Sequence, residues 1–471
     1  MRVLMLGWEF PPFIAGGLGT ACHGLTRALD RMGQDVLFVL PRSADGWSGS
    51  RVRVVGPNVI QQAALTPRPD PAGGSADSAG ASGSFPVVEG SIEGFERARF
   101  VGIPAGFSSP YPGFMDPATG ESAGAAGAGT GGPVGMSASE SAALHAAGVP
   151  RADQPAGEHH YSGDMQRDCE TYAQMLVRYA AREHFDVIHA HDWMTYPAGM
   201  AVSRVSSRPM VAHIHSTEFD RSGENINQRV YDIERRGMHA AVRVIAVSRL
   251  TKSICVERYG INPDKIDVIY NGVERDDHQP TPGSQIESTD KIVLFLGRIT
   301  MQKGPEYFVR SARRVLDRYE NVKFVVAGSG DMAMRMIEEA AALGIGHKVL
   351  FTGFLRGKDV DRVFQMADCY VMPSVSEPFG IAPLEAMKND VPVIISKQSG
   401  VSEVLTHALK VDFWDTDEMA NKIIAVLRHP PLSQTLRQHG PMELRGLTWD
   451  GAAQRVVDLY GDVLRSVGQP A

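Results

Sequence analysis

Two glutamates eight positions apart, Glu377 and Glu385, frame the stretch "EPFGIAPLE" around Pro378 and Gly380. A carboxylate accepts two hydroxyl hydrogen bonds from a vicinal diol, and two carboxyls across one glycosidic bond also serve as acid and nucleophile in a glycosidase. Upstream, "GRITMQKG" carries Arg298 and Lys303 on one short loop directly after the apolar run "KIVLFLG". A guanidinium bonds phosphate oxygens in pairs and an ammonium is a compact point charge, so the two cations suit a diphosphate. Near the amino end, "AGGLG" brings Gly16, Gly17 and Gly19 into the start of a helix. Backbone without Cβ atoms and a helix N-terminus let amides approach an anion closely. A glycosidase has no diphosphate to hold, so the cations and the glycine loop count against one.

A second group of polar residues closes apolar runs in the first half. "HAHDW" follows "FDVI" and places His189, His191 and Asp192 at a strand end. The H-x-H spacing raises the question of a metal; the expectation is that the two rings alternate to opposite strand faces with no third ligand near, and no metal site is assigned. "HIHSTEFDR" ends the next strand with His215, Ser216, Thr217 and Glu218, a cluster suited to the hydroxyls of an acceptor. Glu9 in "GWEFPP" holds a similar strand-end position, with loop capping as its alternative role.

These residues need elements to position them. The chain opens as strand "RVLMLG", glycine turn, helix and strand "QDVLFVLP", the start of a doubly wound α/β domain. From 61 to 160 it dissolves into Ala, Gly, Ser and Pro, too poor in large apolar residues for a core. This tract is expected to be a disordered or lid-like insertion, cut first by proteases, with a strand in the island "FERARFVGIPAGFSSPYPGF". Strand and helix alternate again through "FDVIHA", "RPMVAHIH", "VRVIAVS" and "KIDVIYNGV", each strand ending in polar residues as at the carboxyl edge of a parallel sheet. The polar stretch 274–290 suits a linker, after which the pattern starts over. The expected units are 1–275 and 276–447, facing each other across a cleft, with a last helix in 448–471 folding back on the first.

At 471 residues the chain exceeds one hydrophobic core, and a formal net charge of −7 argues against nucleic acid or anionic membrane as partner. Cys22, Cys169, Cys255 and Cys369 are too scattered for a disulfide framework or a zinc motif. No apolar run approaches the ~20 residues that span a bilayer, and "MRVLML" lacks the form of a signal peptide. A cytoplasmic protein with a small-molecule partner is expected; oligomeric state is not readable.

The order and spacing of "GGLG", "HAHDW", "HSTEFDRSGENINQRVYDIERRGMHAA", "VIAVSRLTK", "GRITMQKG" and "EPFGIAPLE" resemble retaining glycosyltransferases of the glycogen-synthase-like, family 4 type. The resemblance covers most of the chain outside the low-complexity tract. It implies the α/β GT-B fold, two doubly wound Rossmann-like domains facing an interdomain cleft. It implies a hexosyltransferase that moves a hexose, glucose foremost, from a nucleoside-diphosphate sugar to a carbohydrate acceptor, with no cofactor and no metal. In that pattern Glu377 contacts the donor sugar and Glu385 the ribose hydroxyls, Arg298 and Lys303 hold the diphosphate, and His191 lies against the sugar. Gly16, Gly17 and Gly19, with Gly380, Ile381 and Ala382, complete the donor cradle, while Glu9, Asp192, His215, Thr217 and Glu218 fall on the acceptor side. Starch and glycogen synthases carry a lysine beside the paired glycines where this chain has Ile14 and Ala15, a departure that counts against carrying over their ADP-sugar specificity. The alternatives are another sugar, polysaccharide or lipid-linked acceptor, a nucleotide-sugar epimerase, and a non-catalytic nucleotide-sugar sensor. A dehydrogenase would need GxGxxG and an acid after the second strand, and "GGLGTA" and "VLFVLPR" supply neither.

Overall fold

The computed structural model describes residues 1–11, 16–41, 88–90, 95–102, 165–274 and 290–468. Its short aliphatic runs form two sheets. The first is built from β1 (Arg2–Leu6), β2 (Asp35–Leu40), β3 (Val88–Gly90), β4 (Arg99–Gly102), β5 (Val187–His191), β6 (Met210–Ile214), β7 (Arg243–Ala246) and β8 (Ile266–Val268). Their spatial order is β3-β4-β2-β1-β5-β6-β7-β8, parallel throughout except for the β3–β4 edge. The second contains β9 (Lys291–Leu296), β10 (Val322–Ala327), β11 (Val349–Gly353), β12 (Cys369–Met372), β13 (Val393–Ser396) and β14 (Leu409–Val411). Its order is β11-β10-β9-β12-β13-β14, all parallel. Every residue of β5, β6, β12 and β13 is buried, as strands must be when helices cover both sheet faces.

Strand order reverses between β1 and β5 in the first sheet and between β9 and β12 in the second. At such a point successive connections leave on opposite faces, which opens a crevice outside the carboxyl ends of the two strands. The ends of β1, β5, β9 and β12 lie at these reversals, and the His215 cluster follows β6, one strand farther out.

The strand expected in the island of the 61–160 tract is present as β4, and Val88–Gly90 adds a second strand, β3, that was not expected. The island has the apolar residues to dock: the Phe100 ring stands 4.9 Å from Phe10 and 5.8 Å from Phe38. Asp30 fixes the approach to β4, accepting hydrogen bonds from the consecutive amides of Glu96, Arg97 and Ala98 at 2.7, 2.5 and 2.6 Å. The rest of that tract, with its expected protease sites, and the 275–289 part of the linker lie outside the described residues.

The helix Trp449–Ser466 packs along the helix Gly17–Arg31, and its Ala453, Val456, Tyr460 and Val463 are members of the first sheet's core. The two halves also meet directly. Glu403 accepts from the amides of Arg249 and Leu250 at 2.9 and 2.8 Å, and Ser376 Oγ donates to Asp220 Oδ1 at 2.6 Å. All four cysteines are buried outside any disulfide. Among the described residues no helix is long and apolar enough to cross a membrane.

Candidate functional site

A cavity of about 320 Å³ opens where the two sheets face each other at their reversals. Its first-half wall includes Gly16, Gly17, Asp192 and His215; its second-half wall includes Arg298, Lys303, Glu377, Gly380, Ile381, Ala382 and Glu385. The walls approach closely, since a Cβ built on Gly16 would stand 3.8 Å from Arg298 Nε. Residues 282 positions apart in sequence are thereby brought together at the cavity.

The cations reach the gap because β9 ends just before them. Arg298 Nη2 donates to Gln302 Oε1 at 3.3 Å, and Gln302 Nε2 donates to the carbonyl of Ser376 at 3.1 Å, tying the cation loop to the carboxylate loop. Lys303 Nζ lies 2.5 Å from Glu377 Oε2, which also accepts from Ser374 Oγ at 3.1 Å. Glu377 is held in place by its backbone as well, which bridges to Ser399. Glu385, on the short helix Ala382–Lys388, keeps part of its surface on the cavity while protein surrounds its carboxyl. That burial, reinforced by Asp361, pushes its pKa up to about 7.

On the first-half wall, Asp192 sits at φ +57° and accepts from the amides of His215 and Ser216 at 2.7 and 3.4 Å. Burial pushes its carboxyl up to about 7. His191 is fully buried behind this wall, with Nδ1 2.9 Å from His215 Nε2. Burial lowers the pKa of His189 and His215 to about 3, and lowers those of His191 and His213 as well, aided by neighbouring imidazoles. All four rings are therefore neutral at physiological pH.

Five expected positions do not line the cavity, and His191, buried behind the first-half wall, is one of them. Gly19 is buried inside its helix and Glu9 lies buried below the wall. Thr217 is the N-cap of the helix Glu218–Ser222 and makes a reciprocal capping box with Asp220. Glu218 belongs to a buried network, accepting from Arg221 Nε at 3.2 Å, Ser222 Oγ at 2.8 Å and the Asn227 amide at 2.9 Å, while Arg221 also pairs with Glu234. Thr217 and Glu218 are thus corrected from acceptor contacts to supports of the wall.

The geometric ground for excluding a metal is also corrected. A strand repeats every two residues, so His189 and His191 share a face, and their rings stack at 4.4 Å. His213 on the adjacent strand joins them, with His189 Nε2 3.0 Å from its Nδ1.

The cavity also takes in Asn271, Gln302, Ser329, Phe354 and Ser374, which the sequence reading did not single out. One signal was present in "VVAGSGD". A Cβ on Gly328, at φ +145°, would fall 1.8 Å from the Gly297 carbonyl oxygen, so only glycine lets the β9 and β10 loops close up at the site.

Comparisons with known proteins agree with this geometry. The signature described as "Glycosyl transferases group 1" matches residues 279–442, "Glycosyltransferase Family 4" matches 148–277, and "Starch synthase catalytic domain" matches 2–62. An uncharacterized glycosyltransferase of Methanocaldococcus jannaschii is 32% identical over 307 residues, covering 61% of this chain and 78% of its own. Glycogen synthase of Mycobacterium tuberculosis is 23% identical over 100% of this chain and 97% of its own. Among solved structures, sucrose-phosphate synthase from Thermosynechococcus elongatus superposes with a TM-score of 0.67 at 17% identity, covering 99% of this chain and 100% of its own. Anabaena HepE, solved with UDP and glucose, gives 0.63 at 15% identity over 98% of this chain and 100% of its own. Two facing parallel sheets of the GT-B fold and a relative of this identity and coverage lead to one conclusion: the chain belongs to the glycosyltransferases, as a hexosyltransferase enzyme.

Proposed function

We propose that the chain is a retaining transferase of the glycogen-synthase-like type that moves glucose from a nucleoside-diphosphate sugar to a carbohydrate hydroxyl. The observation that carries the reading is the convergence of Arg298, Lys303, Glu377 and Glu385 on one cavity at both strand reversals. Arg298 and Lys303 hold the diphosphate and stabilise the charge it gains as its bond to C1 breaks, so no metal between phosphates and protein is needed. A phosphate oxygen arriving here competes with Glu377 for Lys303 Nζ, which frees the carboxylate for the sugar hydroxyls. Glu385 accepts the ribose diol. The acceptor oxygen bonds to C1 on the face the diphosphate leaves, its proton passes to a departing phosphate oxygen, and configuration is kept without an enzyme nucleophile. The Asp192 turn, backed by the buried His191, forms the sugar-side wall that keeps water from the cationic sugar.

The test incubates the purified chain with UDP-, ADP- and GDP-glucose, each with glycogen or with D-inositol 3-phosphate, the substance in the names of other relatives. Nucleoside diphosphate release and the anomeric configuration of the product by proton NMR are measured. The expected result is acceptor-dependent release and a product with the donor's configuration. An inverted product, or no release with any pair, contradicts the reading.

A further inference from the structure

At and behind the first-half wall, β5, β6 and the residue that follows β6 bring four histidines together. His189 and His191 stack at 4.4 Å, His213 and His215 at 4.2 Å, and His191 and His213 are register partners across the strands. One nitrogen from each of His189, His191 and His213 lies within 4.8 Å of the other two, and all three residues are buried. Three ring nitrogens of the stack, His191 Nε2, His213 Nε2 and His215 Nδ1, are buried with no hydrogen-bond partner among the described residues. Buried polar atoms are otherwise satisfied almost everywhere in proteins, so the orphaned His191 Nε2, beside two further imidazoles whose nitrogens lie within 4.8 Å, lacks a partner that a ligand would supply.

We propose that His189, His191 and His213 bind one divalent transition metal ion of the zinc class, at a site separate from the diphosphate. Tetrahedral zinc with Zn–N distances near 2.0–2.1 Å sets its nitrogens roughly 3.3 Å apart, and His189 Nε2 already lies 3.0 Å from His213 Nδ1. The ion takes the place of that direct contact. Metal-bound imidazoles have their second nitrogen held by a neighbour. Here the Tyr460 hydroxyl lies 2.5 Å from His189 Nδ1, and His215 Nε2 lies 2.9 Å from His191 Nδ1, which leaves Nε2 of both rings for the ion; His213 would bind through Nδ1, its Nε2 having no partner among the described residues. An all-imidazole set selects zinc, copper or nickel over magnesium or calcium, which prefer oxygen. His215 touches the cavity and stacks on His213, so it marks the access path from solvent. The ion joins β5, β6 and, through Tyr460, the C-terminal helix. Its role is structural.

The full chain is stripped with a chelator and titrated with Zn²⁺ by calorimetry and with Co²⁺ by visible absorption. One equivalent per chain, an intense tetrahedral cobalt spectrum and a Tm raised by Zn²⁺ are expected. His189→Gln and His213→Gln abolish the cobalt spectrum. Tyr460→Phe keeps all three imidazoles, guards against a folding defect in the first two, and weakens affinity about 10–100-fold. Absence of uptake by the stripped chain, an octahedral cobalt spectrum, or uptake that persists unchanged in both histidine variants overturns the proposal, and the first leaves a buried water as the partner of the orphaned nitrogens.

Discussion

Glu377 and Glu385 sit eight positions apart on one wall yet meet different neighbours, an ammonium and a hydroxyl for the first and a desolvating pocket for the second. Neutral isosteres should separate their roles. Glu377→Gln should lower kcat far more than it changes donor KM, because its contacts strengthen at the breaking bond, whereas Glu385→Gln should mainly weaken nucleotide affinity. Steady-state rates with donor titrations on both variants check this; equal losses of affinity would merge the two roles. Glu385 also predicts a pH dependence. Its folded pKa of about 7 exceeds the ordinary glutamate value of 4.5, so the folded protein holds a proton that the unfolded chain releases in that interval. This group's contribution therefore favours folding at the acid end of the interval and is lost as pH rises through about 7. Under the proposed ribose role, donor binding runs the other way, since only an ionised carboxylate can accept both hydroxyls of a diol. Affinity for a nucleotide sugar, whose diphosphate diester does not titrate here, should climb between about pH 6 and pH 8, and Glu385→Gln should flatten that climb in calorimetry. The acids and cations were legible as residues because each follows a clear strand. Glu218 was not, because its partners Arg221 and Glu234 are set by the packing of two helices rather than by spacing.

Helices decide how the wall carrying Gly16 and Gly17 is held. The helix that starts there is backed by the C-terminal helix so closely that a Cβ on Gly24 would fall 2.2 Å from the Trp449 ring. Gly24→Ala should destabilise the protein by about 1–3 kcal/mol, as overpacking does, and lower its urea midpoint without changing the slope. An unchanged midpoint would show that the two helices slide apart freely. This packing partner, 425 residues away, was anticipated only as a helix folding back, since an amphipathic stripe names its need for a partner and not the partner. Of the two strands inside the Ala- and Gly-rich tract, β4 was legible in the apolar island around Phe100, whereas the three-residue β3 was not, because composition averaged over a hundred positions hides so short a signal. The histidine pair shows the opposite failure, a legible spacing to which the wrong strand period was applied.

Across the whole molecule, function requires the two sheets to hold their carboxyl edges face to face. Glu403 from the second half caps the helix Arg249–Tyr259 of the first through two amides and takes a further bond from Tyr270 at 3.0 Å. Glu403→Ala should cost about 1 kcal/mol, read as a lower Tm, and should weaken donor binding without touching any lining residue. Donor affinity identical to wild type would mean that this contact does not set the width of the cleft. The central claim is that the gap between the sheets holds a nucleoside diphosphate on Arg298 and Lys303. The most direct measurement is calorimetric titration of UDP, ADP and GDP into the wild type, Arg298→Ala and Lys303→Ala proteins. The account predicts saturable one-site binding of at least one nucleotide, weakened in each variant by about 2–4 kcal/mol. Binding of the same nucleotide with undiminished affinity in both variants would contradict it.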